Sequence, residues 1–184
     1  MADHTQLKQM LIGGEGTLPH MYLDTVGLVT VGVGHMIPNA EVAQALSFVV
    51  RADGSAATPD QIAADYANVS RQQKGLLAAR YRQLTTLDMT DAAIQDLLSA
   101  DIASVEAGVR SRFAGYDGYP EPAQDALLDM AFNLGVAGLA SHFHRLKAAA
   151  EAGDWTTCAA QCHRNGISEE RNDKTKALFE SAAG

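Results

Sequence analysis

The chain has 184 residues, 22 acidic against 14 basic, giving a net charge of −8, with 47% apolar and 20% charged side chains. That balance excludes a disordered chain and suits one domain with a sizeable core, or two small lobes sharing a helix. An acidic balance argues against nucleic acid as the main partner, because phosphate contacts need clustered Lys and Arg, and the overall charge offers no attraction to anionic polymers or lipid surfaces.

The first residues, Met1-Ala2-Asp3-His4, show no basic stretch leading into an apolar one. They predict synthesis in the cytoplasm without a signal peptide. No apolar run approaches the ~18 residues of a membrane span, so no membrane insertion is expected. Thr5 to about Ile12 places Leu7, Met10 and Leu11 at helical spacing, and Gly13-Gly14 predicts the helix stop. From Met21 to about Met36 the β-branched residues Thr25, Val26, Val29, Thr30, Val31 and Val33 are punctuated by Gly27, Gly32 and Gly34, which predicts a small β-hairpin region. Residues 38 to 88 read as two or three helical pieces, parted at Arg51–Ser55 and at Gly75. Within them Thr58 is an N-cap followed by Pro59 at the first helical position. Thr90 is a further N-cap, and Ala92 to Phe113 reads as one long amphipathic helix.

A loop at Gly115–Pro122 precedes an apolar helix from Glu121 to Leu134, ended by Gly135. Short helices follow at about 137–150 and 154–163, and a last one at about 168–182 with Ser168 as its N-cap. The whole is an α+β pattern dominated by helix. Cys158 and Cys162 are four apart, on one helical face. With only His163 beside them they fall short of a zinc set, and no disulfide framework is indicated. His142 and His144, two apart, face different ways and make poor metal ligands. Trp155, the only tryptophan, is expected to pack in the helical part.

Chemistry concentrates around the first turn. Glu15 follows a predicted helix end, where the dipole disfavours a carboxylate and so favours a protonated carboxyl, as a general acid requires. Asp24 comes nine residues later, and Thr30 six residues after that, in a predicted strand. Two carboxyls flanking a cleft, with a hydroxyl to hold water, form the minimum set for glycosidic hydrolysis. A Glu and an Asp at this spacing carry little weight alone, since 22 acidic residues supply many such pairs.

The residues between them carry more. Glu15-Gly16, then Tyr22-Leu-Asp24-Thr-Val-Gly27-Leu-Val-Thr30-Val-Gly32-Val-Gly34-His35, closely resembles the catalytic segment of the phage-type lysozymes, glycoside hydrolase family 24. The resemblance implies a lysozyme-like fold of two lobes. The small lobe would span about 16–88, and the helical lobe about 1–15 and 89–184. It implies a muramidase that cleaves peptidoglycan with inversion. Glu15 would be the acid, Asp24 would act on the attacking water, and Thr30 would help hold it. Gly34 and Met36 would face substrate. Ala126–Gly135 is similar to the family's cleft-lining helix, which puts Phe132 and Asn133 against the sugar. Arg171, followed by Leu178-Phe179, resembles the Arg that leads the closing helix and pairs with the general acid; orienting that carboxyl is its expected use. The resemblance gives His35 a structural pairing with a small-lobe acid.

Gly32 and Gly34 otherwise read as ordinary strand twist or turn. Residues 40–88 depart from the family pattern and read as an elaborated small lobe. Proton transfer and water attack need no cofactor and no metal. Peptidoglycan is the implied partner. Release through a holin and delivery by a secretion system are both compatible with a cytoplasmic start. The second would pair this antibacterial effector with an immunity or inhibitor protein. A non-catalytic wall-binding protein of the same fold is the alternative in a different class; the presence of Glu15, Asp24 and Thr30 speaks against it.

Overall fold

In the computed structural model, which describes residues 4–184 and only the backbone of Glu15, the first helix outruns its glycines. Helix α1 spans Thr5–Glu15 and continues through Gly13 and Gly14. The first glycine to turn left-handed is Gly16, at φ +74°. A helix stops where the backbone leaves the right-handed region, and Gly13 and Gly14 never do so. Glu15 is thus the last helical residue, not the first one beyond.

The chain divides into two compact units, one of Glu15–Asp101 and one of the residues up to Gly14 joined to Ile102–Gly184. In the first, strands β1 (Leu18–Leu23), β2 (Val29–Gly32) and β3 (His35–Met36) form an antiparallel sheet in that order. This adds a strand to the predicted hairpin. β3 is two residues long, too short to show any alternation. It is reached through Gly32 and Gly34, both left-handed, so a tight turn accounts for these glycines. A Cβ on Gly32 would meet Ile94 at 3.5 Å.

Segment 40–88 is not purely helical. Beside α2 (Ala40–Gln44), α3 (Pro59–Ser70) and α4 (Ala78–Tyr81), it holds a second antiparallel pair, β4 (Phe48–Val50) with β5 (Leu87–Met89). Helix α3 begins as predicted at Thr58. The Thr58 side chain accepts from the Gln61 N–H, and the Gln61 side chain accepts from the Thr58 N–H. Arg51 braces the far end of the segment. It forks onto both oxygens of Asp88 at 2.9 and 2.8 Å and donates to the Thr85 and Leu87 carbonyls. Helix α5 (Asp91–Arg110) starts in this unit, its first turn capped by the Thr90 hydroxyl, which accepts from the Ala93 N–H.

The other unit takes the end of α5, then α6 (Glu121–His142), α7 (His144–Glu151), α8 (Trp155–Gln161) and α9 (Glu169–Ala183). Every residue of α6 from Ala123 to Ala131 is buried, and α9 packs on both α6 and α8. Gly135 breaks α6 with φ 71°, ψ 152°, where the sequence places a helix end. Gly108 permits close helix approach, since a Cβ there would lie 2.8 Å from Val136. Leu7 and Leu11 of α1 are fully buried. Trp155 meets Tyr119 edge-on at 5.0 Å. Cys158 and Cys162 are buried free thiols, and burial pushes the Cys158 thiol up to about 12.

The result is a mainly helical α+β protein, as the sequence predicts. Among the described residues no single helix is long and apolar enough to cross a membrane.

Candidate functional site

The β1–β2 connection is built around Asp24. Its Oδ1 accepts three backbone N–H groups, from Val26 at 3.0 Å and from Gly27 and Leu28 at 2.8 Å each. The backbone closes the same loop, with the Asp24 N–H on the Leu28 carbonyl at 2.9 Å and Gly27 at φ +96°. An aspartate that caps its own turn and a left-handed glycine are what a short hairpin loop needs. All three amides fall on one oxygen, so the carboxylate is fixed in orientation by Oδ1, while Oδ2 has no hydrogen bond among the described residues.

Thr30 lies in β2, paired with Tyr22 of β1 on one side and with Met36 of β3 on the other. Paired residues share a face, and so do residues two apart along a strand. Tyr22, Thr30 and Met36 therefore share one sheet face, and Asp24 follows directly on the end of β1. Thr30 is 3% exposed, and its hydroxyl donates to the Leu28 carbonyl at 3.1 Å. That donation commits the only proton of the hydroxyl, so toward any further partner Thr30 is an acceptor.

The remaining small-unit candidates divide by role. Gly34 is exposed at φ +76°, with open space where a Cβ would go. Met36 is half-exposed. His35 is instead tied down: its Nδ1 lies 2.9 Å from both carboxylate oxygens of Asp101. It joins β3 to α5.

In the helical unit, Phe132 is half-buried and Asn133 exposed, on the same turn of α6. Arg171 is held at the start of α9, where its backbone N–H donates to the Ser168 hydroxyl. Its guanidinium Nε bonds Asp129 Oδ1 at 2.9 Å. It also reaches the last turn of α1, since a Cβ on Gly14 would lie 3.7 Å from Arg171 Nη1. A hollow of about 140 Å³ opens there, lined by Gly13, Gly14, Ser168 and Arg171 among others. The side chain of Glu15, and hence any ion pair it makes, lies outside the described residues.

Motif and spacing do not single out Asp129 and Arg164. Asp129 is wholly buried in α6, and its Oδ2 accepts from Arg164 Nη2 at 2.6 Å and from the Thr175 hydroxyl at 2.7 Å. Asn172 holds the Arg164 backbone from both sides. Two guanidinium groups thus meet on one carboxylate. A lone acid inside the apolar run Leu127-Leu128-Asp129-Met130-Ala131 is the available signal, because a buried carboxylate requires partners.

A family model described as phage lysozyme matches residues 74–179. The match takes in Phe132, Asn133, Asp129, Arg164 and Arg171 and begins after the segment that holds Glu15, Asp24 and Thr30. A comparison with curated proteins finds no match.

Proposed function

Because the chain belongs to the phage lysozyme family, a lysozyme-type glycosidase family whose substrate is peptidoglycan, we propose that it hydrolyses the β-1,4 bond between N-acetylmuramic acid and N-acetylglucosamine with inversion. The observation that carries this reading is the Asp24 hairpin beside Thr30. One carboxylate oxygen is occupied by three amides, and the neighbouring hydroxyl has its proton already committed. A water set between Asp24 Oδ2 and Thr30 Oγ1 gives one proton to each acceptor. Its lone pair is then aimed away from both, toward the anomeric carbon. As that water attacks, its proton passes to Asp24. Glu15, closing α1, protonates the leaving oxygen, and Arg171, anchored by Asp129, is the arginine that the resemblance assigns to serve the general acid. Inversion calls for ~6.5–9.5 Å between the two carboxyls, enough for the water. In the unit that holds Asp24, Gly34 and Met36 supply glycan contact, and in the helical unit Phe132 and Asn133 are the residues proposed for that role.

Glu15→Gln removes the proton donor and Thr30→Val removes a water acceptor at nearly constant volume. Each is expected to slow release of material from purified sacculi by about 100-fold or more, while Thr30→Ser retains most of the rate. Digests should show new reducing N-acetylmuramic acid ends, with the opposite anomer formed first. Wild-type lysis by Glu15→Gln would overturn the acid assignment. Reducing N-acetylglucosamine ends, or anhydro ends, would replace the muramidase with a glucosaminidase or a lytic transglycosylase.

A further inference from the structure

Between Asp65 and Asp88 the chain holds no acidic residue but four of its fourteen basic ones, Arg71, Lys74, Arg80 and Arg82. In a chain of net charge −8 this is a local reversal of sign. Arg82 is engaged with Asp88 at 3.2 Å. Arg71, Lys74 and Arg80 are exposed and make no ion pair among the described residues. In their midst stand two adjacent leucines that the fold leaves in water, Leu76 at 46% and Leu77 at 79% exposure.

These leucines do not sit on a loose loop. The buried Tyr81 hydroxyl donates to the Gln73 carbonyl at 2.9 Å, and His20 Nε2, from β1, lies 3.1 Å from the Ala78 carbonyl. The stretch is thus pinned before and after its apolar tip. The stem of Lys74 also lies against the Asp24 hairpin, since a Cβ on Gly27 would come within 3.5 Å of Lys74 Cδ. Val26, at that hairpin's tip, is 67% exposed. An anchored apolar tip flanked along the chain by exposed cations that make no ion pair among the described residues is a surface prepared for something both apolar and anionic. Burial would remove the leucines from water, and the long basic side chains would reach past them to negative charge.

We propose that this face, Leu76-Leu77 with Arg71, Lys74 and Arg80, is a peripheral docking surface for an anionic lipid bilayer. Charge alone would suit the carboxylates of peptidoglycan stems equally well. Two neighbouring leucines would gain nothing from that contact, whereas a bilayer interface accommodates them. The proposal is independent of the catalytic roles given to Glu15, Asp24 and Thr30.

The full chain would be sedimented with vesicles of phosphatidylglycerol and phosphatidylcholine, and with pure phosphatidylcholine. Binding is expected only to the anionic vesicles and should weaken as salt is raised. Leu76→Ser with Leu77→Ser should lower it by about tenfold or more. Arg71→Glu with Lys74→Glu should lower it about fivefold or more for each charge removed. Both variants should keep the wild-type circular dichroism spectrum and the wild-type rate on soluble glycan fragments. Absence of binding to anionic vesicles overturns the proposal, as does binding indifferent to the leucine variant. Loss of sacculus binding in these variants, with vesicle binding unchanged, also overturns it and reassigns the face to peptide stems.

Discussion

His4 and Asp125 are both almost wholly buried, and they meet at 2.5 Å between Nδ1 and Oδ1. The Asp125 carboxylate raises the His4 pKa above the ordinary 6.5, against the opposing pull of burial. A raised histidine pKa makes the folded state hold its proton more tightly than the unfolded state does. The stability this contributes is fully present below pH 6.5 and is lost as pH climbs through the folded value. His4→Gln should therefore cost about 1–3 kcal/mol in urea unfolding near pH 5, and progressively less as pH rises through the folded-state value of the histidine. At this scale local chemistry is readable from sequence. Thr58, Thr90 and Ser168 cap where the sequence places them, and the Asp24 loop is spelled out by one short string. His4, Asp129 and Arg164 are not readable in the same way. The partner of Arg164 lies 35 residues away and that of His4 lies 121 away, and no spacing rule spans such distances.

Among whole elements, α1 and α5 contain glycines of opposite character. Gly13 is helical and exposed, with nothing within 4 Å of the place a Cβ would take, so its missing side chain costs only backbone entropy. Gly13→Ala should stabilise by about 0.5–1 kcal/mol. Gly108 faces Val136 so closely that Gly108→Ala forces a side chain or a helix aside, and should destabilise by about 1–3 kcal/mol. Urea midpoints of the two variants, shifting in opposite directions, check both. The long helices are legible because capping and the 3.6-residue repeat act over many residues. β4 and β5 are not. Each is three residues long, and what makes them strands is mutual pairing across the whole of α3 and α4.

In the whole molecule, the helical unit is assembled from both ends of the sequence, with Leu7 and Leu11 of α1 in its core beside the buried His4. Removing residues 1–12 empties two leucine sites, each worth about 2–5 kcal/mol, against a typical total of only about 5–15 kcal/mol. The truncated chain is expected to lose most of its helical circular dichroism at about 37 °C as measured beside the intact one. Bulk charge is the least instructive number at this scale. A net −8 suggests repulsion from every anionic surface, yet it averages over a stretch between Asp65 and Asp88 in which every charged residue is basic.

Burial of Cys158 and Cys162 also sets how reactive they are. Oxidants and alkylating agents attack the thiolate, and burial disfavours that form at Cys158. Burial pushes Cys162 the same way. Neither sulfur is offered to glutathione, to an oxidase or to a second chain. The fold therefore shields both thiols from oxidation and from mispairing.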